Sequence, residues 1–157
     1  MCSELLYLLT DELGDPAPVA DRTGIRGLVA AKSSLSPCEI IEKFRALLQE
    51  RPYEFRYALR IIPIEKVVPT EIDKIKSVAT ELAANIRENE TFRVTVEKRF
   101  TTIHTRELIE AVATNIERKV NLENPDKILL IEVVGGLTGI SLIQPEDILA
   151  VIKEKML

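Results

Sequence analysis

The sequence predicts a mixed α/β (α+β) fold in which helices layer a mixed sheet. Segments with apolar residues at helical spacing alternate with segments of period two through most of the chain. Residues 128–134 are almost uninterrupted β-branched residues and leucine, as expected of a strand covered on both faces. Pro63 and Pro69 interrupt the alternation once. We therefore expect a small first unit at residues 1–64 and a second unit at residues 65–157.

The first unit is expected to begin with a helix, a loop, a strand and a second helix. Leucines at helical spacing predict a short helix from Ser3 to Leu13, and a loop rich in Pro, Asp and Gly follows to about Arg26. Residues 27–31 (GLVAA) are typical of a short buried strand. Ser36 then begins a second helix, with Pro37 at its first position and a glutamate placed to complete a capping box.

A switch to period two at residues 55–61 predicts the second strand of this unit. One face of that strand would carry the apolar residues Phe55, Tyr57, Leu59 and Ile61. Its outer face would carry Arg56, Ala58 and Arg60. The first unit is thus expected to be a small ferredoxin-like or reduced α/β subdomain.

The second unit continues the alternation of helices and strands. Thr70 is placed to cap a helix whose apolar positions run to Ile86, and residues 92–97 alternate as a strand with one polar face. Thr105 begins another helix, whose apolar positions run to Val120. Beyond the strand at 128–134, a Gly-Gly pair is expected to turn the chain into a strand at 140–143, and Pro145-Glu146-Asp147 into a last helix.

Composition excludes several classes of protein. Hydrophobic residues make up 46% and charged residues 29% of the chain, as in ordinary soluble domains. No apolar stretch approaches the ~18 residues needed to span a bilayer, and the first residues do not resemble a signal peptide. Cys2, Cys38 and a single histidine show no metal-ligand spacing. We expect a cytoplasmic protein that needs no membrane, metal or other cofactor.

Catalytic motifs are not found in the sequence, so we expect a protein that is not an enzyme. The glycines at 135, 136 and 139 lie between strands and not before a helix, which excludes a phosphate-binding loop of the Walker type. His104 is more typical of a surface or capping residue than of a general base, and Cys38 of a half-buried side chain than of a nucleophile. The carboxylates lie among lysines on helix faces.

The charge distribution favours local binding surfaces over a general affinity for nucleic acid. The chain has 21 basic and 25 acidic residues, for a formal net charge of −4. Residues 87–106 hold five basic and three acidic residues, and residues 51–66 hold four and two. The low aromatic content, 4%, limits the surface available for stacking on bases.

One basic cluster has the composition expected of a phosphate-binding site. Arginine and lysine at the end of the strand near residue 97 precede a helix N-terminus, and both features attract phosphate. The candidate RNA-binding residues are Arg93, Lys98, Arg99, His104 and Arg106, with Arg56 and Arg60 as second-rank candidates. The alternative interpretation is a solvated edge strand that charge protects from aggregation.

The same residues carry a family resemblance. Phe92-Arg93-Val94, Lys98-Arg99 and the helix after His104 resemble the middle of the THUMP domain. Residues 120–126 (VNLENPD), followed by the strand at 128–133, resemble that family's second landmark. The resemblance covers about Leu59 to Ile143, and the residues upstream are similar to the small THUMP-only proteins that assist tRNA cytidine acetylation.

This resemblance implies a tRNA-binding protein that acts as a non-catalytic adaptor. Its partners would be tRNA and a tRNA-modifying enzyme, an acetyltransferase that acts in trans to form N4-acetylcytidine. Two alternatives stay open: an RNA-binding subunit of a methyltransferase or thiolation enzyme, and an α/β interaction module that does not bind RNA. The oligomeric state is also open, because an edge strand in either half could pair across a homodimer.

Overall fold

A computed structural model of the protein describes residues 1–155. The chain divides into two compact units, of which the first contains Met1–Pro63 together with the described residues from Glu146 onward. The second unit is Ile64–Pro145. The mixed α/β fold class predicted from the sequence is confirmed.

The first unit begins with a helix and a two-stranded sheet. Helix α1 (Cys2–Tyr7) continues into a π-helical turn at Leu8–Glu12, so the helix predicted here is present. Strands β1 (Val19–Arg22) and β2 (Val29–Lys32) form an antiparallel pair. The sequence predicted a loop where β1 lies. It also predicted a buried strand near β2, whereas the residues of β2 are half-buried or exposed.

Helix α2 (Pro37–Glu50) is the longest helix of the described chain and has the predicted N-cap, Ser36. The expected capping box is not formed, because no side chain caps the helix. A 3₁₀ turn at Pro52–Glu54 and the two-residue strand β3 (Arg60–Ile61) follow.

The second unit is built on one five-stranded sheet with two helices. In chain order its elements are β4 (Lys66–Pro69), α3 (Ile72–Ala83), β5 (Thr91–Arg99), α4 (Thr105–Ala113), β6 (Lys119–Val120), β7 (Lys127–Val134) and β8 (Leu137–Ile143). The strand order across the sheet is β4-β8-β7-β5-β6. Strand β5 is parallel to β7 and β6, and the other neighbours are antiparallel.

One face of this sheet packs against both helices. Val94 and Val96 of β5 point to that face, with Leu129 and Ile131 of β7 beside them. The core of the second unit comprises the buried residues Ile75, Ala79, Leu82, Leu108, Val112, Leu129, Ile131, Val133 and Ile140. Six consecutive residues of strand β7, 128–133, are buried, as the continuous apolar run predicted.

After the second unit the chain returns to the first. A 3₁₀ turn at Pro145–Asp147 leads into β9 (Leu149–Ala150) and α5 (Val151–Lys155). The sequence placed these residues in the second unit, as one helix opening at Pro145. From Glu146 onward they belong instead to the first unit, because β9 pairs antiparallel with β3, and Leu149 and Val151 join the core around Phe44 and Phe55.

Two helix boundaries of the second unit differ from the prediction. The N-cap of α3 is Glu71 and not Thr70, whose hydroxyl instead lies 2.9 Å from that of Thr138 on β8. Helix α4 ends at Ala113, and Val120, which was expected on its apolar face, lies exposed in β6. Both differences reflect pairing with the sheet, which local sequence does not encode.

Replacement of Gly139 by alanine is expected to destabilise the second unit by about 1–3 kcal/mol, as overpacking of a filled site does. A Cβ atom at Gly139 would lie 2.8 Å from Cγ2 of Ile64, whose β-branched side chain is stiff. Urea denaturation measures the loss. Gly136→Ala is the matched control, because no atom lies within 4 Å of a Cβ atom placed there.

In an Ile64→Ala background the cost of Gly139→Ala should largely disappear, since the clashing atoms are gone. Equal costs in the two backgrounds would contradict the packing described for this pair.

Candidate nucleic-acid interface

The carboxyl end of β5 and the start of α4 bring together three of the predicted site residues. Lys98, the penultimate residue of β5, is exposed, and its Nζ donates a hydrogen bond to the carbonyl oxygen of Ile103 at 3.1 Å. His104, the next residue, is exposed and is the N-cap of α4. Arg106 lies in the first turn of that helix. The cation of Lys98 is therefore held beside the helix N-terminus.

This helix N-terminus is open. His104 adopts extended backbone angles (φ −76°, ψ 132°), and no side chain caps the helix. The first N–H groups of a helix lack partners within it and carry a partial positive charge. In the described chain, the start of α4 therefore presents backbone donors beside an ammonium group, an arrangement that suits phosphate. The exposed Glu107 in the same turn is the opposing charge at this site.

Arg106 is available to a ligand although it has a carboxylate partner. Its Nε lies 3.0 Å from Oε1 of Glu110, one turn along the helix. The Arg106 side chain is 91% exposed and that of Glu110 65% exposed. Such solvated pairs contribute about 0.3–0.5 kcal/mol. A phosphate group could therefore replace this partner at little cost.

Arg99 points to the other face of the sheet from Lys98, as alternation along a strand requires. Its Nη1 lies 3.1 Å from Oε2 of Glu132 on β7, whose side chain is only 10% exposed. A buried carboxylate needs a cation or hydrogen-bond donors nearby. The structure thus assigns Arg99 an internal ion pair, and it does not join Lys98 at the helix N-terminus.

Arg93 lies near the opposite end of β5. Arg99 lies six positions further along the chain, or about 20 Å away along an extended strand. Its Nη1 donates to the carbonyl oxygen of Leu122 at 2.8 Å, and its Nε donates to the hydroxyl of Thr95. The structure therefore does not bring Arg93 together with the residues at the start of α4.

The alternative interpretation of the basic cluster, a solvated edge strand protected by charge, is consistent with part of β5. Strand β6 pairs only with Thr91 and Phe92, whereas β7 pairs with β5 from Phe92 to Arg99. In the described chain, β5 is therefore paired on one side only from Arg93 onward. The charged residues along it are those that protect an open edge.

Arg56 and Arg60 lie on the first unit, and the strand predicted to display them is largely absent. Only Arg60 and Ile61 of the predicted segment are extended and paired with another strand. The predicted alternation of inner and outer residues is wrong. Ala58 is buried, whereas Tyr57 and Leu59 on the supposed inner face are exposed. The predicted strand does not form here because the backbone N–H groups of residues 56–58 donate hydrogen bonds to the carboxylate of Glu4. Arg56 and Arg60 are both exposed.

Phe100 immediately follows β5 and was not among the site residues predicted from the sequence. This side chain is 78% exposed, and its backbone is left-handed, with φ 54°. A positive φ at an aromatic residue is rare and costs free energy, and such residues cluster at functional sites. The signal in the sequence was an aromatic residue within a run of cations and threonines, KRFTT at 98–102.

Some other classes of site are not found within residues 1–155. Their His, Cys, Asp and Glu residues form no group of three or more that could hold a metal ion. Cys2 and Cys38 are both half-buried. No helix in this part of the chain is long and apolar enough to cross a bilayer.

The fold and the site define an α/β module with a small phosphate-compatible surface. A family model described as the THUMP domain matches residues 69–143. This match lies within the second unit and confirms the resemblance to the THUMP domain that the sequence landmarks predicted. No match was found among curated proteins.

Two solved structures share the fold. PH1313 from Pyrococcus horikoshii Ot3 is 22% identical, with a TM-score of 0.63, and the match covers 92% of this chain and 47% of that one. TrmN from Thermus thermophilus is 14% identical, with a TM-score of 0.60, and the match covers 92% and 43%. The chain thus spans less than half the length of either protein.

Arg99→Ala is expected to lower the free energy of unfolding by about 1–3 kcal/mol, because it removes the cation beside the buried Glu132 carboxylate. Arg106→Ala is the matched control and should change stability by no more than about 0.5 kcal/mol, since both side chains of its ion pair are largely exposed. Urea denaturation of both variants tests this. Equal effects would contradict a structural role for Arg99.

Proposed function

We propose that this protein binds tRNA through the open N-terminus of α4 and acts as a non-catalytic adaptor for tRNA modification. The observation that carries the proposal is the position of Lys98, whose ammonium group is hydrogen-bonded beside that uncapped helix start. The match to the THUMP domain supports a role in tRNA binding and modification. His104, Arg106 and Phe100 complete the surface.

The chemistry of this surface matches the backbone of RNA. Phosphate oxygens would accept hydrogen bonds from the helix N–H groups, Lys98 and Arg106, and such contacts position a protein without reading sequence. An exposed aromatic ring such as Phe100 can stack on an unpaired base. In a chain of net charge −4, these few contacts favour moderate affinity that depends strongly on salt.

The adaptor role is proposed because the described residues offer little for chemistry. His104, the only histidine, lies at a helix start beside a lysine and threonines, and no carboxylate or thiol is hydrogen-bonded to it within the described chain. A nucleophile or general base needs such a partner. The reaction would then belong to a separate enzyme, which we propose to be an acetyltransferase that modifies cytidine at N4.

Neutralisation of Lys98 and Arg106 (Lys98→Gln with Arg106→Gln) is expected to weaken tRNA binding about tenfold or more, because two charged contacts to phosphate are lost. The slope of log K against log salt should fall by about one for each contact. Titrations at several salt concentrations measure both quantities.

The control for this experiment is Lys66→Gln with Lys119→Gln, which makes the same change in net charge at two exposed residues away from the site. Lys66 begins β4, which two strands separate from β5, and Lys119 begins β6, which pairs with the start of β5. If these controls weaken binding as much as the site variants, the effect is one of overall charge, and the assignment of the interface is wrong.

The adaptor role predicts that the purified protein does not modify tRNA alone. Incubation with tRNA and acetyl-coenzyme A should yield no acetylcytidine, and addition of the acetyltransferase of the same cell should yield it at a rate that this protein raises. Lys98→Gln with Arg106→Gln should remove that stimulation. Acetylcytidine formed by this protein alone would overturn the adaptor role. If the variant stimulates the acetyltransferase as much as the unchanged protein does, the stimulation does not depend on RNA binding at this site.

A further inference from the structure

A shallow concavity on the first unit gathers all three tyrosines of the chain. Tyr7 reaches it from α1, Tyr53 from the 3₁₀ turn after α2, and Tyr57 from the following loop. Tyr53 and Tyr57 are each 63% exposed and Tyr7 is 38% exposed. The concavity has a volume of about 530 Å³, within the range of small-ligand pockets. We call it the tyrosine concavity.

The backbone beneath the tyrosine concavity is fixed by Glu4. Its carboxylate accepts hydrogen bonds from the N–H groups of Arg56 (2.6 Å), Tyr57 (3.1 Å) and Ala58 (2.8 Å). The neighbouring Phe55 and Ala58 are buried. The Tyr57 ring and the Arg56 side chain therefore project from an ordered segment, which lowers the entropy lost on binding.

The carboxylates around the tyrosine concavity already have hydrogen-bond or ion-pair partners. Glu4 accepts the backbone hydrogen bonds, and Arg51 pairs with both Glu12 and Glu54. The hydrogen bond from Tyr7 to Glu12, at 2.9 Å, raises the pKa of Tyr7 to about 12, so the phenol stays neutral. Arg56, by contrast, has no hydrogen bond or ion pair of its guanidinium within residues 1–155.

We propose that the tyrosine concavity binds unpaired nucleotides of RNA. Bases would stack on the rings of Tyr53 and Tyr57, and the Arg56 guanidinium would contact the adjoining phosphate. Aromatic faces beside a cation are the combination with which proteins hold single-stranded nucleic acid. The lining contains no aliphatic side chain to anchor an apolar protein segment. This inference rests on the proposed RNA-binding function and specifies that the first unit binds unpaired nucleotides.

Tyrosine fluorescence offers a direct readout. The chain has no tryptophan, and its three tyrosines all line the concavity, so the emission of the whole protein reports on this one surface. A single-stranded oligouridine should quench this emission with saturation, whereas a blunt RNA duplex of equal length should quench it much less. We expect both results because the unpaired bases of a single strand can stack on the tyrosine rings, whereas the bases of a duplex are already stacked on one another.

Substitutions of Tyr53 and Tyr57 distinguish a loss of base stacking from a loss of folding. Tyr53→Ala and Tyr57→Ala should each weaken oligouridine binding about fivefold or more, and Tyr53→Phe and Tyr57→Phe should change it less than about twofold, since phenylalanine keeps the stacking face. Leu59→Ala is the control, because Leu59 is 58% exposed but lies outside the concavity. Thermal unfolding checks that each variant is folded.

The outcomes distinguish this proposal from the proposed function. If tRNA binding depends on Lys98 and Arg106 but oligouridine leaves the fluorescence unchanged, the tyrosine concavity is not a nucleotide site and the interface at the start of α4 stands. The same holds if the tyrosine variants lose binding to the modifying enzyme and keep binding to oligouridine. If neither tRNA nor oligouridine binds at low salt, both proposals are wrong.

Discussion

The parallel pairing of β5 with β7 determines where the candidate interface lies. Eight consecutive residue pairs, from Phe92 with Lys127 to Arg99 with Val134, hold the two strands in register. Parallel strands begin at the same edge of a sheet, so the chain must leave β5 at its carboxyl end and return by a crossover. Helix α4 opens that crossover, and its N-terminus therefore lies beside the last cations of β5. The site is a consequence of this topology.

The register of the same pair divides the cations into two classes. Lys98 points to the face where α4 lies, and Arg99 points to the opposite face, close to Glu132. Adjacent residues of one strand thus have different physical roles, one available to a ligand and one committed to a buried carboxylate. A count of charges in the sequence does not separate them, because the partner of Arg99 is 33 positions away in the chain.

The sequence predicted the elements whose signals are local. The continuous apolar run of β7 and the Ser36-Pro37 start of α2 are examples, since burial on both faces and helix capping leave marks within a few residues. Prediction from the sequence failed where residues distant in the chain determine the conformation. Residues 55–61 alternate like a strand, yet the backbone at 56–58 bonds to Glu4, some 50 positions earlier. Phe100 was missed because its left-handed conformation arises where the strand ends.

The return of the chain to the first unit has a consequence for the order of folding during synthesis. Leu149 and Val151 are part of the core that contains Phe44 and Phe55, although the whole second unit separates the two pairs in the sequence. All strands of the inserted domain emerge from the ribosome before these residues do. The inserted domain can therefore acquire its native packing first, while the segment that precedes it awaits the residues that complete its interior.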